Sequence, residues 1–473
     1  MNTRKYIWTL CLTLLALGFT ACSDDDDDNK GSQSAPMTIS QVYLENVNDT
    51  VNKDRPVEFA RLGQLIRLEG SGFLGLKKIL INGYDTYFNN ALMTDNNVWV
   101  TLNADTPVEK AEASVRNKII LIKDAARLEY DFTIRAASPS INSCDNTLPK
   151  PGEKVTVYGA NLQETTKITL PGGIEVTSGI TNDENGKFYA FTMPNGVTEA
   201  GSITSEGANG TAVSPTFFND FRCFITDFDG NGELGSWSAT YSADDLVDDP
   251  LGTGRGKVAL LVPDVKLNAG GLDPGSNALL WATAGNDNAN DDWNARMTKI
   301  IPGNTLASDV AIQFDIYCPE PWDLTGQLEI SLQNNLSNYG WNSGCTKFSS
   351  EYMNTASVWI PWLDETTGGH TAYQTTGWQT VTIPLSKFGN YNPETASGDA
   401  NKAAASNATF EKVCIDRNSG SYRNFLFLFC NGDIKTEEGV TPVLNYGAKL
   451  FNQKIYIDNL RVVSIAPITV SDF

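Results

Sequence analysis

Histidine is almost missing from this chain: His370 is the single one in 473 residues. A Ser-His-Asp or Cys-His mechanism would have to run through that residue, and a histidine-rich zinc site is excluded. Carboxylate-based glycoside hydrolysis needs no histidine, so this absence leaves it open. Positive charge is scarce as well: 35 Lys and Arg stand against 56 Asp and Glu, a formal charge of −21. That field repels phosphate backbones and argues against a nucleic-acid ligand. The eight cysteines form no CxxC pair, which removes zinc ribbons and thioredoxin-like redox motifs. Long Ala/Glu/Lys/Leu runs are absent too, while 40 glycines and 20 prolines favour strands and turns over helices. A chain of this length exceeds one core, so two to four domains are expected.

What is present begins with an address. Residues 1–21 contain no acid, carry Arg4 and Lys5, and then run apolar from Tyr6 through Phe19, the pattern of a secretory signal too short to span a membrane comfortably. The segment ends Thr20-Ala21-Cys22, which resembles the lipobox of bacterial lipoproteins and makes Cys22 the expected lipidated residue. Asp24 to Asp28 follow; five consecutive like charges cannot pack, so residues 22–35 are expected to be a solvated tether. Its place behind the cysteine resembles the export signal that sends Bacteroidetes lipoproteins to the outer face of the outer membrane. Export permits disulfides among Cys144, Cys223, Cys318, Cys345, Cys414 and Cys430, without saying which form.

An internal repeat follows. Gly63-Gln-Leu-Ile-Arg-Leu-Glu-Gly70-Ser-Gly-Phe73 aligns without gaps on Gly152-Glu-Lys-Val-Thr-Val-Tyr-Gly159-Ala-Asn-Leu162, 89 residues later. Ile66 and Leu68 fall on Val155 and Val157, alternating as the buried face of a strand does. At the same offset Ile79, Ile81 and Gly83 meet Ile168, Leu170 and Gly172, and Val98–Thr101 matches Tyr189–Thr192 approximately. Short alternating strands between Gly and Asn/Asp turns predict two immunoglobulin-like sandwiches, at 36–136 and 137–219. The pattern Gly-x-x-Val-x-Val-x-Gly-x-Asn-Leu behind Pro139-Ser-Ile141 resembles IPT/TIG domains; the first copy starts Pro36-Met-Thr-Ile39 and carries an insertion from Asn46 to Arg55. Neither copy shows a concentration of exposed aromatic or catalytic side chains by pattern, so both read as rigid spacers.

Residues 220–473 differ in character. They hold eight of the ten tryptophans, whereas the two repeats together hold only Trp99. Strand-like runs at 257–262, 310–317, 327–332, 378–383, 425–429 and 454–463 are separated by loops rich in Asn, Gly and Asp, which predicts one large jelly-roll-type β-sandwich and an all-β chain. Trp378 and Trp237 read as core, and Trp322 suits either core or ligand. The aromatics in polar loops need a cover, because an exposed flat ring is poorly hydrated. The apolar C–H face of a sugar provides one, with its hydroxyls pairing to nearby Asn, Gln and Asp. The candidate glycan platform comprises Trp281, Trp293, Tyr339, Trp341, Trp359 and Trp362.

Asp227-Phe-Asp229-Gly-Asn231-Gly232 begins like a calcium loop, and Asp458 could join it from the last strand to hold a structural Ca²⁺. The twelfth position is Ser238 rather than Glu, which rejects an EF-hand; a plain turn before a strand explains the same residues, and no cofactor is required. His370, between Gly369 and Thr371, reads as a surface or ligand-contact residue rather than a general base.

Trp359-Ile-Pro-Trp362, the run Thr375 to Phe388 and the ending Ile455-Tyr-Ile-Asp-Asn-Leu-Arg-Val-Val463 resemble the terminal glycan-binding domain of the surface glycan-binding proteins of Bacteroidetes. The order of lipobox, acidic tether, TIG-like spacers and terminal sandwich is similar as well. The resemblance implies a non-enzymatic, lipid-anchored outer-membrane protein facing the cell exterior. It implies binding of a polysaccharide, a β-glucan such as xyloglucan or mixed-linkage glucan in the first place, beside a porin-type importer and its lid lipoprotein. Two alternatives remain at this point: a surface glycoside hydrolase acting on the same glycan, and an adhesin for a host protein.

Overall fold

A computed structural model describes residues 32–45, 54–230, 241–261, 273–274, 276–282, 293–332, 356–418, 425–436, 438–439 and 441–470. The expected lipidation site Cys22, the acidic run, Trp237 and Cys345 lie outside the described residues. The chain divides after Ala137 into two compact units.

The first unit is a sandwich of two four-stranded sheets. One orders Asp54–Pro56, Thr38–Glu45, Leu65–Ser71 and Asn97–Thr101; the other orders Tyr84–Thr86, Lys78–Ile81, Lys118–Ile122 and Arg127–Asp131. Alternation decides the core: Ile66, Leu68, Val98, Ile79 and Ile81 are fully buried, and they meet Phe73 and Leu121 between the sheets.

The second unit opens with the repeated sandwich. Its sheets order Ser140–Cys144, Lys154–Ala160, Phe188–Thr192 and Thr181–Asn182, and Ile174–Val176, Thr165–Leu170, Thr204–Gly207 and Gly210–Val213. The repeat is structural down to a bulge: the strand register shifts after Ile39 opposite Gly70, and again after Ile141 opposite Gly159. Both glycines are there for one reason. A Cβ on Gly70 would stand 1.8 Å from the Thr38 carbonyl oxygen, and one on Gly159 would stand 1.8 Å from that of Ser140. Phe73 and Leu162, three residues on in each copy, both reach the core.

Residues beyond 220 form a larger sandwich. One sheet orders Leu246–Asp248, Lys257–Leu260, Tyr456–Ser464, Val310–Tyr317 and Gln379–Pro384, with Phe224–Thr226 also on Tyr456–Ser464; the other orders Asn277–Ala282, Leu426–Cys430, Gln327–Ser331 and Ala356–Trp359. The fold is thus nearly all β, with short helices at Asp399–Ser406 and Phe410–Asn418. Val310–Tyr317 explains how this domain joins its neighbour. Val310, Ile312, Phe314 and Ile316 enter the large core, while Ala311 on the opposite face packs with Val463 into the core of the repeated sandwich. With both faces covered, Gln313 and Asp315 on that second face must find polar partners inside.

They find them in a buried ion cluster. Asp315 lies 2.7 Å from Arg255 and 3.4 Å from Arg461, and accepts hydrogen bonds from Thr380 at 2.8 Å and Asn459 at 2.9 Å. Arg461 also donates to Thr147, and Arg255 donates to the Leu148 carbonyl at 3.2 Å, so the cluster bolts the 145–148 turn onto the last domain. Burial opposes ionisation of Asp315, but Arg461 and Arg255 outweigh it and hold the carboxyl below its ordinary range. Asp458 in the same cluster behaves oppositely: burial, reinforced by the charge of Asp315, pushes its carboxyl well above the usual value.

Candidate functional site

Gln327–Ser331 and Ala356–Trp359 pair antiparallel, with Ser331 opposite Ala356 and Leu328 opposite Trp359. Tyr339 and Trp341 lie outside the described residues. Trp281 belongs to the strand Asn277–Ala282 at the opposite edge of the same sheet.

Two of the expected platform residues are corrected. Trp293 is 1% exposed, packed 6.0 Å from Phe425 and 6.3 Å from Phe410, with Arg417 over its ring at 4.0 Å. Trp362 is 1% exposed and donates to the Gly326 carbonyl at 3.3 Å. No sugar reaches rings covered this completely. Their polar sequence neighbours misled: Trp293 opens a helical turn, Trp293–Arg296, with its own ring buried, and Trp362 sits in the turn after the edge strand Ala356–Trp359. Trp378 is buried as its alternating strand indicates, donating to Asp249 at 3.0 Å, and Trp322 resolves to core, donating to the Thr325 carbonyl at 2.6 Å.

Trp359 is the expected platform residue that stays half-exposed. It meets Phe314, Trp322 and Tyr373 edge-on at 5.6, 6.0 and 5.4 Å. Tyr373 and Tyr446 are half-exposed too: Tyr373 bridges to Trp322, and Tyr446 meets Trp362 at 5.3 Å and donates to the Gly368 carbonyl at 2.6 Å. His370 stands at 6.2 Å from Tyr446, with Nδ1 3.0 Å from the Asp323 carboxylate. Rings held edge-on by other rings are rigid, which suits stacking against a flat ligand face.

The strand Gln327–Ser331 adds polar groups that its sequence barely advertised. Leu328 and Ile330 point into the core, so alternation sends Gln327, Glu329 and Ser331 to the other face, where all three are buried; Gln327 donates to Glu329 at 2.9 Å. The signal was Gln-Leu-Glu-Ile-Ser itself, a strand with hydrogen-bonding residues along one face.

At the positions expected to hold calcium, the described side chains are engaged within the chain. Asp458 is 1% exposed and accepts from the Asn459 backbone at 2.8 Å and side chain at 2.9 Å. Asp227 accepts from the Asp229 N–H, and Asp229 accepts from the Lys257 N–H at 2.7 Å, as in a plain turn. Asn231 lies outside the described residues, and among the described residues no three carboxylate, histidine or cysteine side chains are placed to hold a metal. Cys144, Cys223 and Cys318 are free buried thiols, and Cys414 and Cys430 are buried as well.

A large β-sandwich joined to an immunoglobulin-like sandwich defines the class: a modular, nearly all-β protein. The family is specific. A model of the surface glycan-binding protein B xyloglucan binding domain matches residues 218–464, more than half of the chain, and the chain belongs to that family of surface glycan-binding proteins. It is similar to an IPT/TIG domain-containing protein of Bacteroides ovatus, at 24% identity over 226 residues that cover 45% of this chain and 44% of the relative; the match thus spans less than half of that relative's length. The crystal structure of surface glycan-binding protein PbSGBP-B from Prevotella bryantii shares the fold, with a TM-score of 0.63 at 20% identity over 92% of this chain and all of that one. SGBP-B from a complex xyloglucan utilization locus in Bacteroides uniformis aligns with a TM-score of 0.44 at 17% identity, over 91% of this chain and 99% of that one.

Proposed function

We propose that this protein captures a neutral β-glucan, xyloglucan first, at the outer membrane surface and passes it to an importer and its lid lipoprotein. Cys22 carries the lipid, the 22–35 tether gives reach, and the last domain stacks the chain on Trp359 together with Tyr339, Trp341 and Trp281. The observation that carries this reading is the family match over 218–464. Tyr373 and Tyr446 add half-exposed rings, and the scarcity of basic residues suits a ligand without charge. The role is binding alone and needs no cofactor, so EDTA leaves it unchanged.

The test is a native affinity gel run with xyloglucan, mixed-linkage glucan, mannan and xylan, followed by a reducing-end assay of each polymer after incubation with the protein. The proposal expects retardation in the β-glucan gels and no new reducing ends. Release of reducing ends would make it a hydrolase; no retardation in any gel would overturn glycan capture.

A further inference from the structure

The first sandwich, expected to be a bare spacer, carries a groove of about 680 Å³ on its surface, within the size range of ligand pockets. One wall is the outer face of the sheet. Register places Trp99 opposite Arg67 and Thr101 opposite Leu65, on the face turned away from the core residues Ile66 and Leu68. The other wall is the segment after Tyr84–Thr86, which the Phe88–Val100 bridge holds alongside the strand Asn97–Thr101. Here Tyr87 is 83% exposed and Leu92 is 62% exposed, while Phe88 lies half-buried beside them.

The indole is set in place rather than left loose. Trp99 Nε1 donates to Glu45 at 3.3 Å, Glu45 is paired with Arg67 at 2.9 Å, and the Arg67 guanidinium lies over Tyr43 at 4.3 Å. A ring fixed before binding loses little freedom on stacking.

The chemistry of the lining selects its occupant. No Lys or Arg lines the groove, so an acidic partner finds no complement, and its one carboxylate, Glu45, is held by Arg67, which also pairs with Glu69 at 2.9 Å. The polar groups are amides and hydroxyls: Asn89 and Asn103 use their carbonyl oxygens to accept from the Ala91 and Asp105 N–H groups, which leaves their NH₂ groups as donors. Flat apolar rings flanked by amide donors match the C–H face and the hydroxyls of a pyranose.

We infer that this groove is a second glycan-binding site, taking a segment of the same neutral polysaccharide that the last domain captures. The inference rests on the reading of the chain as a glycan binder. Two sites on one chain raise retention of a polymer beyond either alone, through effective concentration.

The test is calorimetric titration of the full mature chain with a xylogluco-oligosaccharide and a mixed-linkage gluco-oligosaccharide. The wild type should bind two oligosaccharides per chain. Tyr87→Ala combined with Leu92→Ala, both on exposed side chains, should weaken one site at least about tenfold and leave a single resolved site, whereas Tyr87→Phe should keep both. A wild type that saturates at one oligosaccharide, or a double variant that still binds two, overturns the groove while the capture reading stands. No binding by the wild type overturns both. Loss of self-association in the double variant, with glycan stoichiometry unchanged, would assign the groove to a second copy of the chain and overturn the inference.

Discussion

Tryptophan is concentrated in the last domain and nearly absent from the first sandwich, yet the two regions use the residue in opposite ways. Of the last domain's described indoles, Trp293, Trp322, Trp362 and Trp378 are buried and only Trp359 is half-exposed. The first sandwich has one tryptophan, and it lies on the open sheet face beside the most exposed tyrosine of the unit. Aromatic number thus reports how large a core is being filled, while aromatic exposure, fixed by strand register, reports where a ligand can sit. A wide sandwich needs large side chains to reach native packing density, and tryptophan fills it.

That contrast can be broken by mutation. The largest effect is expected at Trp322→Ala, which empties the centre of the large core and should cost the second unit about 3–5 kcal/mol in denaturant unfolding; a loss below about 1 kcal/mol would return Trp322 to the ligand side. Asp315→Asn should cost a similar amount, about 3–5 kcal/mol, because it removes the carboxylate that Arg255 and Arg461 share and leaves only Asp458, 3.7 Å from Arg255. The sign with pH follows from its lowered carboxyl. The native advantage is complete above the ordinary aspartate value, near 3.9, and closes as pH falls through the folded-state value, so variant and wild type converge in acid. Asp458→Asn should do the reverse. Its raised carboxyl costs the wild type stability above the ordinary aspartate range, so the amide should stabilise at pH 7, with the gain vanishing as pH falls below that range; destabilisation at pH 7 would refute the assignment. The smallest effect belongs to Tyr87→Ala, within about 0.5 kcal/mol of wild type by thermal unfolding, since so exposed a ring supports nothing beneath it.

The repeat was the most legible feature of the chain. Gly70 and Gly159 recur because the same bulge brings a carbonyl against both, and a geometric requirement of that kind leaves the same residue in the same place. The all-β architecture was legible too, because period-two alternation survives wherever one sheet face meets a core. Strands covered on both faces were harder: Val310–Tyr317 reads as apolar with Gln313 and Asp315 intruding, and only the packed neighbour explains them. The site was read least well. Trp293 and Trp362 stand among polar residues in sequence, but local composition does not say which way a turn faces. Trp99 was passed over for the converse reason, since Val98-Trp99-Val100 looks like core until register shows Val98 and Val100 inside and Trp99 out.

The claim at the centre of this account is the proposal that the last domain holds a β-glucan on Trp359 together with Tyr339 and Trp341. A xyloglucan affinity gel comparing the full chain with its Tyr339→Ala/Trp341→Ala/Trp359→Ala variant addresses it directly, with circular dichroism confirming that both are folded. The predicted result is a rise of at least about tenfold in the apparent Kd of the variant; a folded variant retarded as strongly as the wild type would contradict it.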